Sequence, residues 1–345
     1  MKEIMWKHWT EPRGILITQI PMEWQYRNPI IEPRIEEPPY SFEPYENALG
    51  CFQLSCYPLD ELAPNAKCQD DVLKWTQTRM DSEKYDTYVY YGSMGDQALI
   101  GKYIYDRELR GDLRVQEQLD LVQKVLEKVI VIPEHDRSRA ANLDKYDRFL
   151  GALAASYDLL HSAIESESYV EIVVVVTNQI DAFLRLAIVI AKQLRDQTDK
   201  IELKYFFQGD KEKGISERSI FSEAAELGVI DVKTTERLNE LYDFRNRIIH
   251  RYIISSIKTR DIIPIVGGLL EVHDELRLVL RGLEDRQIGK NFGIYGHGFE
   301  RVEDPDEVEM KRVQSWANDK HVIERFRRKI STAEEDKPNK AAHRR

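Results

Sequence analysis

The sequence predicts an α+β chain in three parts. Residues 1–140 form an N-terminal mixed α/β domain of regulatory or sensing character, 141–285 an all-α helical bundle, and 286–345 a charged, partly disordered C-terminal tail. Three observations carry this division. The Tyr85–Tyr91 run (YDTYVYY) is rich in β-formers. From about residue 144 apolar residues recur at helical spacing with short breaks between runs. The end of the chain is poor in apolar residues and carries charge in blocks.

The first 48 residues hold Pro29, Pro33, Pro38, Pro39 and Pro44 among charges and aromatics. Proline fixes φ and removes a donor, so the reading here is an extended, irregular segment wrapping a surface, anchored by Tyr40, Phe42 and Tyr45. Ala48–Tyr57 reads as a strand. Asp70–Met80 reads as a short helix. Tyr85–Tyr91 and Leu99–Tyr105 read as a hairpin around Gly92–Gly95. Residues 114–129 place apolar side chains at 115, 119, 122, 126 and 129, the spacing of a helix that stops before Pro133.

The bundle helices follow as Asp144–Ser166, Ser168–Arg195, Ser219–Leu227 ended by Gly228, Lys233–Tyr252, and a helix from Pro264 to Leu280 loosened at Gly267 and Gly268. The window Tyr169–Ala191 is the most hydrophobic, yet it contains Glu171, Asn178, Gln179, Asp181 and Arg185. A membrane span is nearly free of such residues over roughly 20 positions, so the expectation is a core helix and no membrane partner. In the tail, residues 311–345 carry 11 Lys or Arg against 5 Asp or Glu, a local net of +6, with a short helix around Trp316–Ile330 and disorder over the last dozen residues.

Composition narrows the function. The chain has 345 residues, 42% of them hydrophobic, and a formal net charge of -10. Such a chain does not attract polyanions as a whole, so any nucleic-acid site is a local basic patch. The three cysteines, Cys51, Cys56 and Cys68, form neither a disulfide framework nor a zinc pattern; they read as reduced thiols in a cytoplasmic protein. The N-terminus, MKEIMWKHWTEPRG, is too polar for a signal peptide.

The segment Phe244-Arg245-Asn246-Arg247-Ile248-Ile249-His250-Arg251-Tyr252 concentrates chemistry. On a helix Asn246 and His250 share a face, and Arg245 and Tyr252 share a neighbouring one. Histidine exchanges protons near neutral pH, arginine binds phosphate through a planar fork, and an amide orients either. Arg245 and His250 stand about 140° apart at 100° per residue, so they converge only if the helix bends or a second subunit completes the site. A helix ending in Arg, His and Arg is also common because cations suit its C-terminal dipole.

The segment resembles the signature of the HEPN superfamily: Arg, four residues, then His, with a polar residue directly after the Arg. Arg245, Asn246 and His250 match in turn, and Tyr252 extends the match to the Arg-x4-His-x-Tyr form of HEPN toxins paired with minimal nucleotidyltransferases. The approach GVIDVKTTERLNELYDFRNRIIHRY is similar as well, and the likeness covers roughly 144–285. It implies a four- or five-helix bundle that forms a homodimer with one composite cleft, and a metal-independent endoribonuclease of a toxin–antitoxin or antiphage system. Catalytic roles would fall to Arg245, Asn246 and His250, RNA contacts to Arg247, Arg251 and Lys258, and adenylylation by a nucleotidyltransferase-type antitoxin to Tyr252. This chain is far longer than those toxins. Other members keep the fold as binding or scaffold modules, which makes a non-catalytic dimerising scaffold the second expectation.

No cofactor is expected, and no metal-ligand set is evident. Tyr91–Asp96 (YGSMGD) suggests the Gly-Ser opening of nucleotidyltransferases but lacks the paired acids, so it reads as a hairpin turn. Glu134-His135-Asp136 reads as a solvated loop, Gly293–Phe299 (GIYGHGF) as a structural turn, and His161 and His273 as packing or surface residues. Asp181 reads as a partner for an arginine near the motif, with Arg185 facing solvent or structural.

Overall fold

The computed structural model describes residues 4–27, 37–62, 72–208, 212–300 and 306–321. The chain is α+β, with its strands in the N-terminal part and long helices after them. It divides into two compact units. One is Met1–Arg148 with Glu307–Ser315; the other is Phe149–Asp306 with the segment from Trp316 onward.

The first unit is built on two antiparallel sheets. β1 (Trp6–Thr10) pairs β2 (Leu16–Pro21), which pairs the two-residue β9 (Ile130–Val131). The larger sheet contains β3 (Trp24–Arg27), β4 (Tyr40–Pro44), β5 (Gly50–Pro58), β6 (Thr76–Asp81), β7 (Tyr85–Met94) and β8 (Gln97–Asp106). Its order is β3-β4-β5-β8-β7-β6. A single turn of helix, α1 (Leu59–Leu62), follows β5. Helix α2 (Leu113–Glu127) buries Val115, Leu119, Val122, Val125 and Leu126, the stripe its spacing predicts. Gly101 of β8 leaves room for Leu126, and the Trp75 indole donates to the Leu126 carbonyl at 3.0 Å.

The hairpin and α2 lie where the pattern puts them. Pro29 and Pro33 lie outside the described residues. Among the described residues of 1–48 the N-terminal reading does not hold, since four strands stand in place of the expected irregular wrap. Their aromatics are the reason. Trp9, Tyr26, Tyr40 and Phe42 pack with ring centroids 5.0–6.5 Å apart and supply the burial that the prolines obscure. Of the helix expected at Asp70–Met80, residues 76–80 belong instead to edge strand β6, exposed along its whole length, and residues 70 and 71 lie outside the described residues. A strand with neither face buried shows no two-residue alternation to find.

Inside this unit Glu11 is fully buried, and its carboxyl group accepts from several donors. The Arg13 and Ile15 amides donate at 2.9 and 3.1 Å, the Arg13 Nε at 2.7 Å and the Tyr40 hydroxyl at 2.5 Å. A buried carboxylate persists only when so satisfied.

The second unit is a helical bundle. Helix α3 (Glu134–Glu165) starts ten residues before the predicted Asp144, so His135 lies in its first turn rather than in a loop, and the division at 148 falls inside it. Helices α4 (Tyr169–Asp196), α5 (Glu217–Glu226) and α6 (Val232–Arg251) match the pattern closely. Helix α7 (Thr259–Gln287) runs through Gly267 and Gly268 without the predicted break. Helix α4 is long and apolar enough to cross a membrane, but most of its apolar window is buried within the protein and it packs chiefly against α7. After α7 the described residues 288–300 are tied back to the bundle. The Gln287 and Gln193 side chains, both fully buried, join at 3.0 Å and accept from the Tyr295 and Ile294 amides at 2.7 and 3.1 Å. Helix α8 (Glu307–His321) begins nine residues before the predicted one. Cys51 and Cys56 are free thiols. Cys68, the basic cluster Arg325–Lys329 and the last dozen residues lie outside the described residues.

Gly14 carries a testable consequence. Its φ is +76°, and a Cβ there would sit 2.0 Å from the Arg137 carbonyl oxygen of α3. Gly14→Ala is expected to destabilise the protein by more than about 1–3 kcal/mol, since a strained backbone and a backbone clash add. Chemical denaturation checks this; a wild-type midpoint would contradict the turn geometry.

Candidate functional site

Helix α6 owes its start to Asp231, whose carboxylate accepts from the Thr234 amide at 2.7 Å. Its rotation is set by three buried side chains, Leu238, Tyr242 and Ile248. The Tyr242 hydroxyl donates to the Thr177 carbonyl of α4 at 2.7 Å, and its ring meets Phe221 of α5 edge-on at 4.8 Å. Burial pushes the Tyr242 phenol well above its ordinary range, so it stays protonated as a donor.

With that face fixed, positions 243, 246, 247, 250 and 251 turn outward together. Asp243, Asn246, Arg247, His250 and Arg251 line one open depression of about 410 Å³. Asp243 accepts from Arg218 of α5 at 2.6 Å. Arg247 lies over the Phe244 ring, 4.3 Å from its centroid. The His250, Arg247 and Arg251 side chains make no ion pair among the described residues. Sequence reasoning missed Asp243, although it stands three and seven residues before Asn246 and His250 on the same face.

The other predicted residues lie elsewhere. Arg245 is half-buried on the opposite side of the helix, as the 140° separation requires. Its guanidinium donates to Asn246 Oδ1 at 2.9 Å, lies 3.5 Å from the Glu217 carboxylate of α5 and sits over the Tyr242 ring at 5.8 Å. Its Nε is buried without a partner. Tyr252 caps α6, and its hydroxyl shares a 2.9 Å hydrogen bond with Thr259 at the start of α7. Lys258 is the N-cap of α7; its amide donates to Asp261 at 2.9 Å and its side chain is exposed. None of the three lines the depression.

Asp181 pairs with Arg185 at 2.5 Å, one turn along α4, rather than with a motif arginine. Arg185 is therefore structural and half-buried, not solvent-facing; it also donates to the Ile215 carbonyl at 3.2 Å. Burial raises the Asp181 carboxyl, and Arg185 and Arg245 pull it back. His273 is buried against Phe183 at 5.0 Å, and burial lowers its pKa. His161 is exposed beside Glu165. Gly95 turns the β7–β8 hairpin with φ +58°. His297 of the 293–299 loop meets Asp199 at 2.8 Å. Among the described residues no group of three or more His, Cys, Asp or Glu is placed to hold a metal ion.

Tyr242→Phe is expected to remove one hydrogen bond worth about 1 kcal/mol. That lowers the melting temperature by about 2–4 °C. A thermal melt at neutral pH checks it; an unchanged midpoint would mean the Thr177 contact does not hold α6.

No family model matches the chain, and no curated protein matches it. Among solved structures it is similar to a protein from Bacteroides thetaiotaomicron, whose crystal structure was determined at 1.50 Å. That match covers 57% of this chain and 80% of the other, with 14% identity and a TM-score of 0.28. It is also similar to the solution structure of cyanobacterial PsbP (CyanoP) from Synechocystis sp. PCC 6803. There the match covers 38% and 95%, with 9% identity and a TM-score of 0.20. Likenesses this distant carry no argument about function.

Proposed function

We propose that the chain is a metal-independent endoribonuclease of HEPN type, acting as a toxin or antiphage effector. One observation carries the reading: Asn246 and His250 share an open depression with two cations that have no carboxylate partner, on a chain that is acidic overall. In the reaction a ribose 2′-oxygen bonds to phosphorus and the bond from phosphorus to the 5′-oxygen breaks. The 2′-hydroxyl loses its proton, the 5′-oxygen gains one, and a 2′,3′-cyclic phosphate remains. His250 exchanges a proton with one of these oxygens. Asn246 orients the phosphate, Arg247 and Arg251 attract the backbone, and Lys258 extends the basic surface. Unpaired RNA suits this geometry, since looped strands reach an in-line arrangement most easily. Tyr252, with its hydroxyl near the α6–α7 turn, is the residue a nucleotidyltransferase-type antitoxin would modify.

His250→Ala is expected to lower RNA cleavage by at least about 10²–10⁴-fold while the fold and RNA binding persist, and EDTA is expected to leave the wild type unchanged. Cleavage by His250→Ala at the wild-type rate, or a strict need for Mg²⁺, would overturn the reading in favour of a non-catalytic scaffold.

A homodimer belongs to the same proposal. Ile253 and Ile254 are 94% and 81% exposed just beyond His250, and Phe244 and Ile263 are exposed nearby. Adjacent bare isoleucines suit a protein contact. Light scattering is expected to show a dimer at micromolar concentration, and Ile253→Asp with Ile254→Asp a monomer of low activity. An active wild-type monomer would contradict a composite site.

A further inference from the structure

Arg245 and Asn246 are neighbours in sequence, yet one faces the helices behind and the other the depression. The contact between them constrains the chemistry of the amide. A guanidinium has five donors and no acceptor. The Asn246 atom that meets Arg245 Nη1 at 2.9 Å is therefore its carbonyl oxygen, Oδ1. The two N–H donors of Nδ2 are left for whatever enters the depression. So arranged, Asn246 is a donor and suits an acceptor-only oxygen such as that of a phosphate.

Arg245 is held in turn. Glu217, the first residue of α5, lies 3.5 Å from its Nη1, and the Tyr242 ring lies beneath the guanidinium. Asp181 lies behind and acts on the same guanidinium electrostatically. Two arginines, 185 and 245, thus face two carboxylates, 181 and 217. The charge of Arg245 is already matched, whereas the cations beside His250 are not.

We propose that Glu217 is a positioning residue: through Arg245 it fixes the Asn246 amide as a hydrogen-bond donor to a phosphate oxygen in the depression, whose charge Arg247 and Arg251 meet. The proposal deepens the ribonuclease reading and rests on it for the substrate, but it reassigns Arg245 from phosphate contact to support of Asn246.

The test uses full-length protein labelled with ¹⁵N-asparagine, the Asn246 side-chain signal being identified by its loss in Asn246→Asp. Inorganic phosphate is expected to shift that signal in the wild type. In Glu217→Gln the shift is expected to need at least about tenfold more phosphate, with the melting temperature nearly unchanged. Asn246→Asp keeps an oxygen toward Arg245 but replaces the donors with a carboxylate. It is expected to keep its stability and lose at least about tenfold in affinity for a 2′-O-methyl RNA oligonucleotide, which cannot be cleaved by 2′-hydroxyl attack. An unchanged phosphate response in Glu217→Gln, or full oligonucleotide affinity in Asn246→Asp, would overturn the relay. Wild-type protein that cleaves RNA without an Asn246 response to phosphate would refute the relay and leave the nuclease standing. A phosphate response without RNA cleavage would do the reverse.

Discussion

The constraint on which the second unit depends is the burial of α4. A helix with Ile172, Val173, Val176, Ile180, Leu184, Leu186, Ile188 and Ile190 all inside cannot present a conventional wet face. It must be surrounded. Helix α7 covers it along its length, and α5 and α6 cover it further round. The polar side chains it carries inward each find a partner for at least one atom, although Gln179 Oε1 and Asp181 Oδ1 stay buried without one. Thr177 donates back to the Val173 carbonyl at 2.8 Å, the Gln179 amide donates to Ser156 at 3.0 Å, and Asp181 pairs within the helix. Because α6 is anchored on this helix through Tyr242, the depression inherits its orientation from a core that has no chemistry of its own.

That dependence explains what the sequence discloses. The bundle helices are legible because each buries a stripe at a spacing of three to four residues. The β7–β8 hairpin and α2 are legible for the same kind of reason. The first four strands are not, since their burial depends on aromatic partners distant along the chain. Lys7 illustrates the difficulty: it occupies a buried position of β1, and its ammonium donates to Ser315 at 2.5 Å, a partner 308 residues away. No local pattern predicts a lysine inward.

The site divides in the same way. The pairing of Asn246 with His250 follows from helical spacing alone, and so does the divergence of Arg245. Asp243 was within reach of the same arithmetic. Glu217 was not, because its relation to Arg245 spans 28 residues and depends on how α5 lies against α6. A motif on one helix reveals which side chains leave the same face; the groups that hold them from behind come from other elements.

The clasp between Gln193 and Gln287 has a consequence of another kind. It ties the segment after α7 to the ends of α4 and α7 with neutral amides only. Such bonds neither titrate nor weaken as counterions accumulate, whereas contacts of exposed charges fade beyond a Debye length of about 8 Å at physiological ionic strength. His297 and Asp199, 2.8 Å apart at the rim of the same segment, are the exposed counterpart of that neutral centre. The centre of this closure therefore keeps its grip as salinity and acidity change, and the end of the bundle is held by bonds indifferent to both.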